Sequence, residues 1–138
     1  MVKAGTNDIY RIIDANLNRS KEGLRVCEDI TRFVLNDTAA TRAIKSLRHR
    51  IIASMPHLKY NKLIESRDVG GDVGKKSGKS ELDRRDLADI FYANAQRAKE
   101  SIRVLEEISK LINGSSSDKL KRIRYEFYSV EKRIAQRI

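Results

Sequence analysis

Residues 16–32 read NLNRSKEGLRVCEDITR, and residues 94–110 read NAQRAKESIRVLEEISK. Eight of the 17 aligned positions are identical when the two stretches are superimposed at an offset of 78 residues. Most other positions carry similar side chains, such as Leu24 opposite Ile102. Self-similarity at a fixed spacing is typical of a chain built from repeated structural units. The sequence therefore predicts two copies of one unit.

The periodicity within each copy indicates a long amphipathic helix. Mostly apolar residues recur at alternating spacings of four and three, which places them along one face of an α-helix. In the first copy this stripe comprises Ile13, Leu17, Ser20, Leu24, Cys27, Thr31 and Val34. In the second copy it comprises Phe91, Ala95, Ala98, Ile102, Leu105, Ser109 and Ile112. Each long helix is expected to bury this face against other helices.

A second helix follows the long helix in each copy. The similarity resumes at an offset of 76 residues, where SLRHRI (46–51) aligns with RIRYEF (122–127). The sequence therefore predicts an all-α fold, a four-helix bundle made of two repeated helical hairpins with pseudo-two-fold symmetry. The expected limits are a single domain over 1–138, a first repeat over about 7–56, a connecting loop over 66–80 and a second repeat over about 81–138.

Polar residues mark the expected helix ends. Asp37 is expected to cap the second helix, and Pro56 to stop it. Ser80 and Asp83 have the spacing of a capping box for the second long helix. Ser117 or Asp118 is the expected cap of the last helix. Residues 57–65 are expected to add one or two helical turns.

Composition limits the classes of function. The chain carries 29 basic and 19 acidic residues, a net charge of +10, which favours polyanionic partners. No apolar stretch is long enough to span a bilayer, so no membrane partner is expected. A single cysteine excludes an intrachain disulfide and suits a reducing compartment. The N-terminus has no apolar signal core, and a cytoplasmic location is expected.

The connecting loop carries the most chemically suggestive stretch, RDVGGDVG over 67–74. Glycines allow backbone N–H groups to approach phosphate closely. Carboxylates four residues apart could coordinate Mg²⁺ together with phosphate oxygens. The candidate phosphate-binding residues are Arg67, Gly70, Gly71 and Gly74, and the candidate metal ligands are Asp68 and Asp72. The alternative is a solvated linker rich in turn residues.

A neighbouring stripe in each copy is interrupted by polar residues at matching positions. In the first copy this stripe is Ile9, Ile12, Asn16, Arg19, Gly23, Val26, Ile30 and Phe33, and in the second copy it is Leu87, Ile90, Asn94, Arg97, Ser101, Val104, Ile108 and Leu111. The interrupting polar residues are Asn16, Arg19, Asn94 and Arg97. A polar group buried on a helix face needs a partner, because leaving it unpaired costs free energy. Two-fold packing could bring these groups together around an anionic ligand. Alternatively, they could satisfy helix ends and loop carbonyls of the other hairpin.

The second helices contribute the matching dipeptides Arg48-His49 and Arg124-Tyr125. Arginine binds phosphate through two parallel hydrogen bonds and keeps its charge, so both arginines and His49 are candidate substrate contacts. For His49 the alternative is an ordinary packing or surface residue.

Charged residues on the long helices also recur. Arg25 and Glu28 match Arg103 and Glu106. Their spacing permits ion pairs along one helix, and the favoured interpretation is a solvated, salt-bridged face.

Five motifs occur together in the order of a known family. They are DANLNRSKEGLRVCEDITRFVL (14–35), LRHR (47–50), RDVGGDVG (67–74), ANAQRAKESIRVLEEISKL (93–111) and RYEFYSVEK (124–132). Over about residues 7–133 the chain resembles the small all-helical hydroxymethylpyrimidine phosphate kinase of thiamin biosynthesis. That domain is often fused ahead of thiamin-phosphate synthase. No synthase domain follows here, so the kinase is expected to act alone.

The resemblance implies ATP-dependent phosphorylation of hydroxymethylpyrimidine phosphate to the diphosphate. Arginines and Mg²⁺ can neutralise the charge of the two phosphates in such a reaction, so Mg²⁺ is the expected metal. The site itself is assigned from the repeat and the loop, with Arg19, Arg97 and Asp72 as catalytic candidates. Other readings are a basic nucleic-acid-binding bundle, a non-catalytic partner domain of thiamin-phosphate synthase, and a helical enzyme acting on another anionic metabolite. The chain has few aromatic residues and no known nucleic-acid-recognition module, so nucleic acid is the less favoured partner. A homo-oligomer is compatible with the sequence.

Overall fold

Six helices and no strand make up the chain, which the computed structural model describes over residues 1–138. The prediction of an all-α fold is confirmed. The helices are α1 (Thr6–Phe33), α2 (Thr38–Ala53), α3 (Tyr60–Glu65), α4 (Lys79–Leu82), α5 (Leu87–Ser109) and α6 (Gly114–Ala135).

The four long helices pack around a single hydrophobic core. α1 packs against α5, α2 against α1, and α6 against both α5 and α2. α1 and α5 run in opposite directions, because Gly23 faces Asn94 whereas Cys27, one turn later, lies against Phe91. The two predicted stripes are buried or half-buried except at their ends, Val34 and Ile112. The periodicity of these two stripes therefore identified core positions of α1 and α5 correctly, whereas Ile12, Phe33, Leu87 and Leu111 of the neighbouring stripes are exposed. The two-fold relation between the copies stays a prediction.

Two helix starts show how the local sequence sets the boundaries. The Asp37 carboxylate accepts a hydrogen bond from the Ala40 backbone N–H at 2.9 Å, so its predicted role as the α2 cap is confirmed. This bond lowers the pKa of Asp37, and Arg137 lowers it further. At the matching place in the second copy, the Asn113 side chain accepts from the Ser115 N–H at 2.9 Å.

The predicted caps of α5 and α6 are wrong by one turn or more. α5 is capped by Asp86, which accepts from the Asp89 N–H at 2.9 Å, and Ser80 lies inside the short α4. α6 is capped by Asn113, whereas Ser117 is buried and donates to the Glu106 carbonyl at 2.9 Å. In each case the residue that caps is the one immediately before the first helical residue.

The segment between α3 and α4 is exposed and contains turns rather than regular structure. It begins after Ser66, whose hydroxyl is buried and donates to the Leu63 carbonyl at 2.6 Å. α3 itself packs on α1, and its presence confirms the predicted extra helical turns. Because α3 and Ser66 are anchored, the start of the loop is held close to α1.

Gly23 allows the close approach of α1 and α5. A Cβ atom added there would lie 2.8 Å from the Asn94 carbonyl oxygen and 3.3 Å from the Ala98 backbone nitrogen. Gly23→Ala should therefore destabilise the fold by about 1–3 kcal/mol, because backbone must shift to accept the methyl group. Urea denaturation followed by circular dichroism measures this loss.

Gly114→Ala is the matched control, because Gly114 is also helical and a Cβ atom there meets nothing within 4 Å. Both variants gain helix propensity, worth up to about 1 kcal/mol. If Gly23→Ala were as stable as Gly114→Ala, the proposed close contact would not limit the packing of α1 and α5.

Candidate functional site

A groove of about 490 Å³ lies between the first half of α1 and the start of the connecting loop. We call it the α1–loop groove. Most of its lining is charged or polar. The arginines are Arg11, Arg19 and Arg67, the aspartates are Asp8, Asp14, Asp68 and Asp72, and Asn16 lies among them. The groove thus brings together five of the predicted site residues: Asn16, Arg19, Arg67, Asp68 and Asp72.

An ion pair between Asp14 and Arg67 joins the two walls of this groove. The Arg67 Nε and Nη2 atoms donate to the two carboxylate oxygens of Asp14 at 2.6 and 3.0 Å. Asp14 is buried, with 8% of its side chain exposed. The hydrogen bond to Asp14 raises the pKa of Arg67 above its ordinary value. The guanidinium group is therefore held in one orientation by a rigid helix.

The remaining edge of Arg67 forms no hydrogen bond to another carboxylate, although the Tyr60 hydroxyl interacts with this guanidinium group and also raises its pKa. A guanidinium group has five N–H donors, and the Asp14 carboxylate takes the Nε–H and one Nη2–H. The other Nη2–H and both Nη1–H groups remain. This second edge has the fork geometry that matches two oxygens of one phosphate.

Asn16 and Arg19 extend the groove along α1. The Asn16 side-chain amide donates to the Ile12 carbonyl at 2.8 Å, and its oxygen accepts from Arg19 Nη1 at 3.4 Å. Asn16 is buried, but Arg19 is exposed. The expectation that Arg19 sits within the apolar helix face is wrong. It lies at the edge of that face, where its charged end can reach solvent.

The matching residues of the second copy do not join this groove. Asn94 makes the same bond to its own helix, donating to the Ile90 carbonyl at 2.8 Å. Arg97 is exposed, so the expectation of a position within the apolar face is wrong for it as well. Because α1 and α5 are antiparallel, Asn94 lies beside Gly23 rather than beside Asn16. The structure does not bring the two Asn–Arg pairs together.

The two predicted arginines of the second helices are held inside the bundle. Arg48 Nε donates to a Glu28 carboxylate oxygen at 3.1 Å, and Arg124 Nε donates to Glu106 at 2.8 Å. Each glutamate is only 3% exposed. The interpretation of Glu28 and Glu106 as part of a solvated face is therefore wrong, because each reaches an arginine on the adjacent helix.

None of these second-helix residues lines the groove. Arg48 and Arg124 face their glutamates, and His49 is exposed on α2. Cys27, expected in the core, is fully buried there, and burial raises the pKa of its thiol to about 12.

The loop aspartates accept hydrogen bonds from the loop itself. The Gly71 N–H donates to Asp68 at 2.9 Å, and the Gly74 N–H donates to Asp72 at 2.9 Å. Gly70 is exposed, and no glycine adopts a positive φ. No group of three or more metal-ligating side chains converges anywhere in the chain. Asp68 and Asp72 could hold a cation only with oxygens supplied by a ligand, as Mg²⁺ does at phosphates.

Sequence reasoning missed Asp8, Arg11 and Asp14. A signal for Asp14 exists, because the matching position of the second copy is Tyr92. Asp14 therefore departs from the repeat at a buried place, where a charged residue needs a specific partner.

No helix is both long and apolar enough to cross a membrane.

Comparison with known proteins relates nearly the whole chain to one family. The model of the ThiD2 family matches residues 11–133. A thiamine-phosphate synthase of Rhodopirellula baltica is 38% identical over 130 residues, which are 94% of this chain and 35% of that protein. Thiamine-phosphate synthases of Prochlorococcus marinus and Nostoc punctiforme are 39% and 37% identical over 95% and 89% of this chain, covering 38% and 34% of their own lengths. The chain thus spans little more than a third of these relatives. No solved structure matches it at a significant level.

Proposed function

Since this chain belongs to the ThiD2 family, we propose that it acts in thiamin biosynthesis as an ATP-dependent kinase of hydroxymethylpyrimidine phosphate. The product is the pyrimidine diphosphate, whose diphosphate can serve as the leaving group in a later reaction. Relatives that share this domain are named thiamine-phosphate synthases, and a step that prepares a substrate for such an enzyme fits that association.

The observation that carries the proposal is the second edge of Arg67 in the α1–loop groove. Asp14 orients the guanidinium group, so that little reorganisation is needed when a phosphate binds. Arg11 and Arg19 line the same groove. Because four aspartates line the groove as well, the three arginines would neutralise two polyanions together with a cation held at Asp68 and Asp72.

The chemistry proposed is a direct transfer. An oxygen of the substrate phosphate forms a bond to the γ-phosphorus of ATP, while the bond from that phosphorus to the β–γ bridging oxygen breaks and ADP leaves. The acceptor is already ionised near neutral pH, so no strong general base is needed. The task of the protein is to align the two phosphates and neutralise charge.

The loop residues are assigned to the nucleotide. Asp68 and Asp72 would hold Mg²⁺, which supplies charge neutralisation between the phosphates. The amides of Gly71 and Gly74 would then exchange their aspartate partners for phosphate oxygens. Exposed glycine-containing turns permit this exchange with little steric cost.

A coupled assay with hydroxymethylpyrimidine phosphate, ATP and Mg²⁺ tests the proposal. In the same assay Arg19→Ala should raise KM for the pyrimidine phosphate about tenfold, because a charge-assisted hydrogen bond to phosphate is lost. Lys119→Ala, at an exposed position outside the groove, should leave KM unchanged. Arg97→Ala tests whether the site is formed by the first copy alone or by both copies. An equal rise in KM in this variant would favour a site shared by both copies.

Absence of turnover by folded protein would exclude the kinase. The second candidate is then a non-catalytic partner of thiamin-phosphate synthase. The match to only 35% of the length of such a synthase supports this candidate. Co-sedimentation with a purified synthase would test that role.

A further inference from the structure

A second pocket lies beside the α1–loop groove, between α1, α2 and α3, and the two share Asp14. Its volume is about 110 Å³, and it is the more enclosed of the two. Most of its lining is apolar: Leu17, Ile52, Met55, Leu58, Tyr60 and Leu63. We call it the α1–α3 pocket. Its size and apolar lining suit a single flat ring rather than a nucleotide.

Asn18 presents a hydrogen-bond acceptor at this pocket. Its Nδ2 atom donates to Asp14 Oδ1 at 3.4 Å. An ionised carboxylate can only accept, so this contact fixes which end of the Asn18 amide points toward Asp14. The Asn18 carbonyl oxygen is left without a partner in the protein.

Lys21 presents a hydrogen-bond donor on the same face of α1, three residues after Asn18. It is half-buried and pairs with no carboxylate. In the second copy, the lysine at the matching position has partners within the protein. There Lys99 donates to Glu131 at 3.0 Å and lies over the ring of Tyr128.

Both partners of that lysine are apolar in the first copy. At the offset of 76 residues, Glu131 corresponds to Met55 and Tyr128 corresponds to Ile52. A half-buried ammonium group at an apolar pocket lacks the acceptor that its counterpart has. The free donor and the free acceptor are thus adjacent in the copy that also holds the groove.

We infer that the α1–α3 pocket binds the 4-aminopyrimidine ring of the substrate, an assignment that rests on the proposed function and extends it. The exocyclic amine donates to the Asn18 oxygen, and the adjacent ring nitrogen accepts from Lys21. The substituent carrying the phosphate then points past Asp14 to Arg67. A 4-oxo ring presents an acceptor where the amine presents a donor and is therefore excluded.

The test is calorimetric binding of the unphosphorylated alcohol, 4-amino-5-hydroxymethyl-2-methylpyrimidine, and of its 4-oxo analogue. The alcohol separates ring recognition from phosphate binding and from turnover. We expect the amine to bind at least tenfold more tightly than the oxo analogue. Asn18→Leu and Lys21→Met should each raise Kd for the amine about tenfold or more, while Gln96→Leu, at the matching position of the second copy, should not.

Met55→Glu is the decisive variant. It places a carboxylate at the position that matches Glu131, the partner of Lys99, so that Lys21 gains an acceptor at a buried position just beyond the end of α2. We expect loss of amine binding, together with a lower thermal stability because a carboxylate replaces a buried apolar side chain. Tight binding by folded Met55→Glu, or equal affinity for the oxo analogue, would overturn the inference.

The outcomes also separate this inference from the kinase assignment. Turnover with unchanged KM in Asn18→Leu and Lys21→Met would keep the kinase and remove the ring from this pocket. Amine binding that depends on both residues, without turnover, would keep the pocket and remove the kinase.

Discussion

Arg67→Lys is expected to lower kcat/KM for hydroxymethylpyrimidine phosphate by about 10²–10³-fold, the usual effect of removing one preorganised donor from a transition state. Lysine keeps the charge but has a single ammonium group. It cannot bind the Asp14 carboxylate with one edge and a phosphate with the other, as Arg67 is placed to do. Steady-state kinetics with varied pyrimidine phosphate measures the loss.

Arg85→Lys is the matched control for this change. Arg85 binds Asp89 through the same two nitrogen atoms, at 2.8 and 3.0 Å, but it is exposed and lies outside the groove. Its replacement should leave kcat/KM within about twofold, since surface ion pairs contribute little. Nearly full activity of Arg67→Lys would mean that the orientation set by Asp14 is not used by the substrate.

Glu106→Ala should lower the free energy of unfolding by about 3 kcal/mol, because it leaves the Arg124 charge buried without its carboxylate. Arg124 has only 9% of its side chain exposed. Its remaining contacts, the Tyr128 hydroxyl at 3.0 Å and the rings of Tyr125 and Tyr128, are all to neutral groups. Urea denaturation at constant ionic strength gives the difference directly.

Glu126→Ala removes a comparable carboxylate from an exposed pair. Glu126 accepts from Arg50 Nη2 at 2.9 Å, and about half of its side chain is exposed. This variant should cost less than about 1 kcal/mol. Adding Arg124→Met to Glu106→Ala should restore part of the lost stability. Equal losses at Glu106 and Glu126 would show that burial of the first pair does not set its contribution.

The repeat made much of the fold predictable. Periodicity is a local property, because residues three and four apart lie on one face of a helix whatever that helix packs against. The stripe from Ile13 to Thr31 and its partner from Phe91 to Ser109 could therefore be assigned to the core before any contact was known, and all their residues are buried except the half-buried Leu17. The cap at Asp37 was also predictable, because capping likewise depends only on residues close in sequence to the helix start.

The same reasoning gave only part of the candidate site. The loop stretch 67–74 stands out by composition, and Asn16 and Arg19 stand out as polar interruptions of a stripe. Periodicity specifies a direction around a helix only to within one residue position. It could not decide that Arg19 and Arg97 would be exposed while Glu28 and Glu106 would be buried.

Taken alone, the sequence determined the helices, their apolar faces and the chemical character of the loop, because these depend on neighbours within one turn. The partner of each charged side chain was decided by the tertiary structure. Asp14 binds Arg67, which follows 53 residues later in the sequence, because α3 packs on α1 and brings the next loop back to α1. Arg48 and Arg124 bind Glu28 and Glu106 because the hairpins place these side chains against each other. An ion pair needs atoms within a few ångströms, and that distance depends on how helices cross and where loops return, which no spacing along the chain specifies.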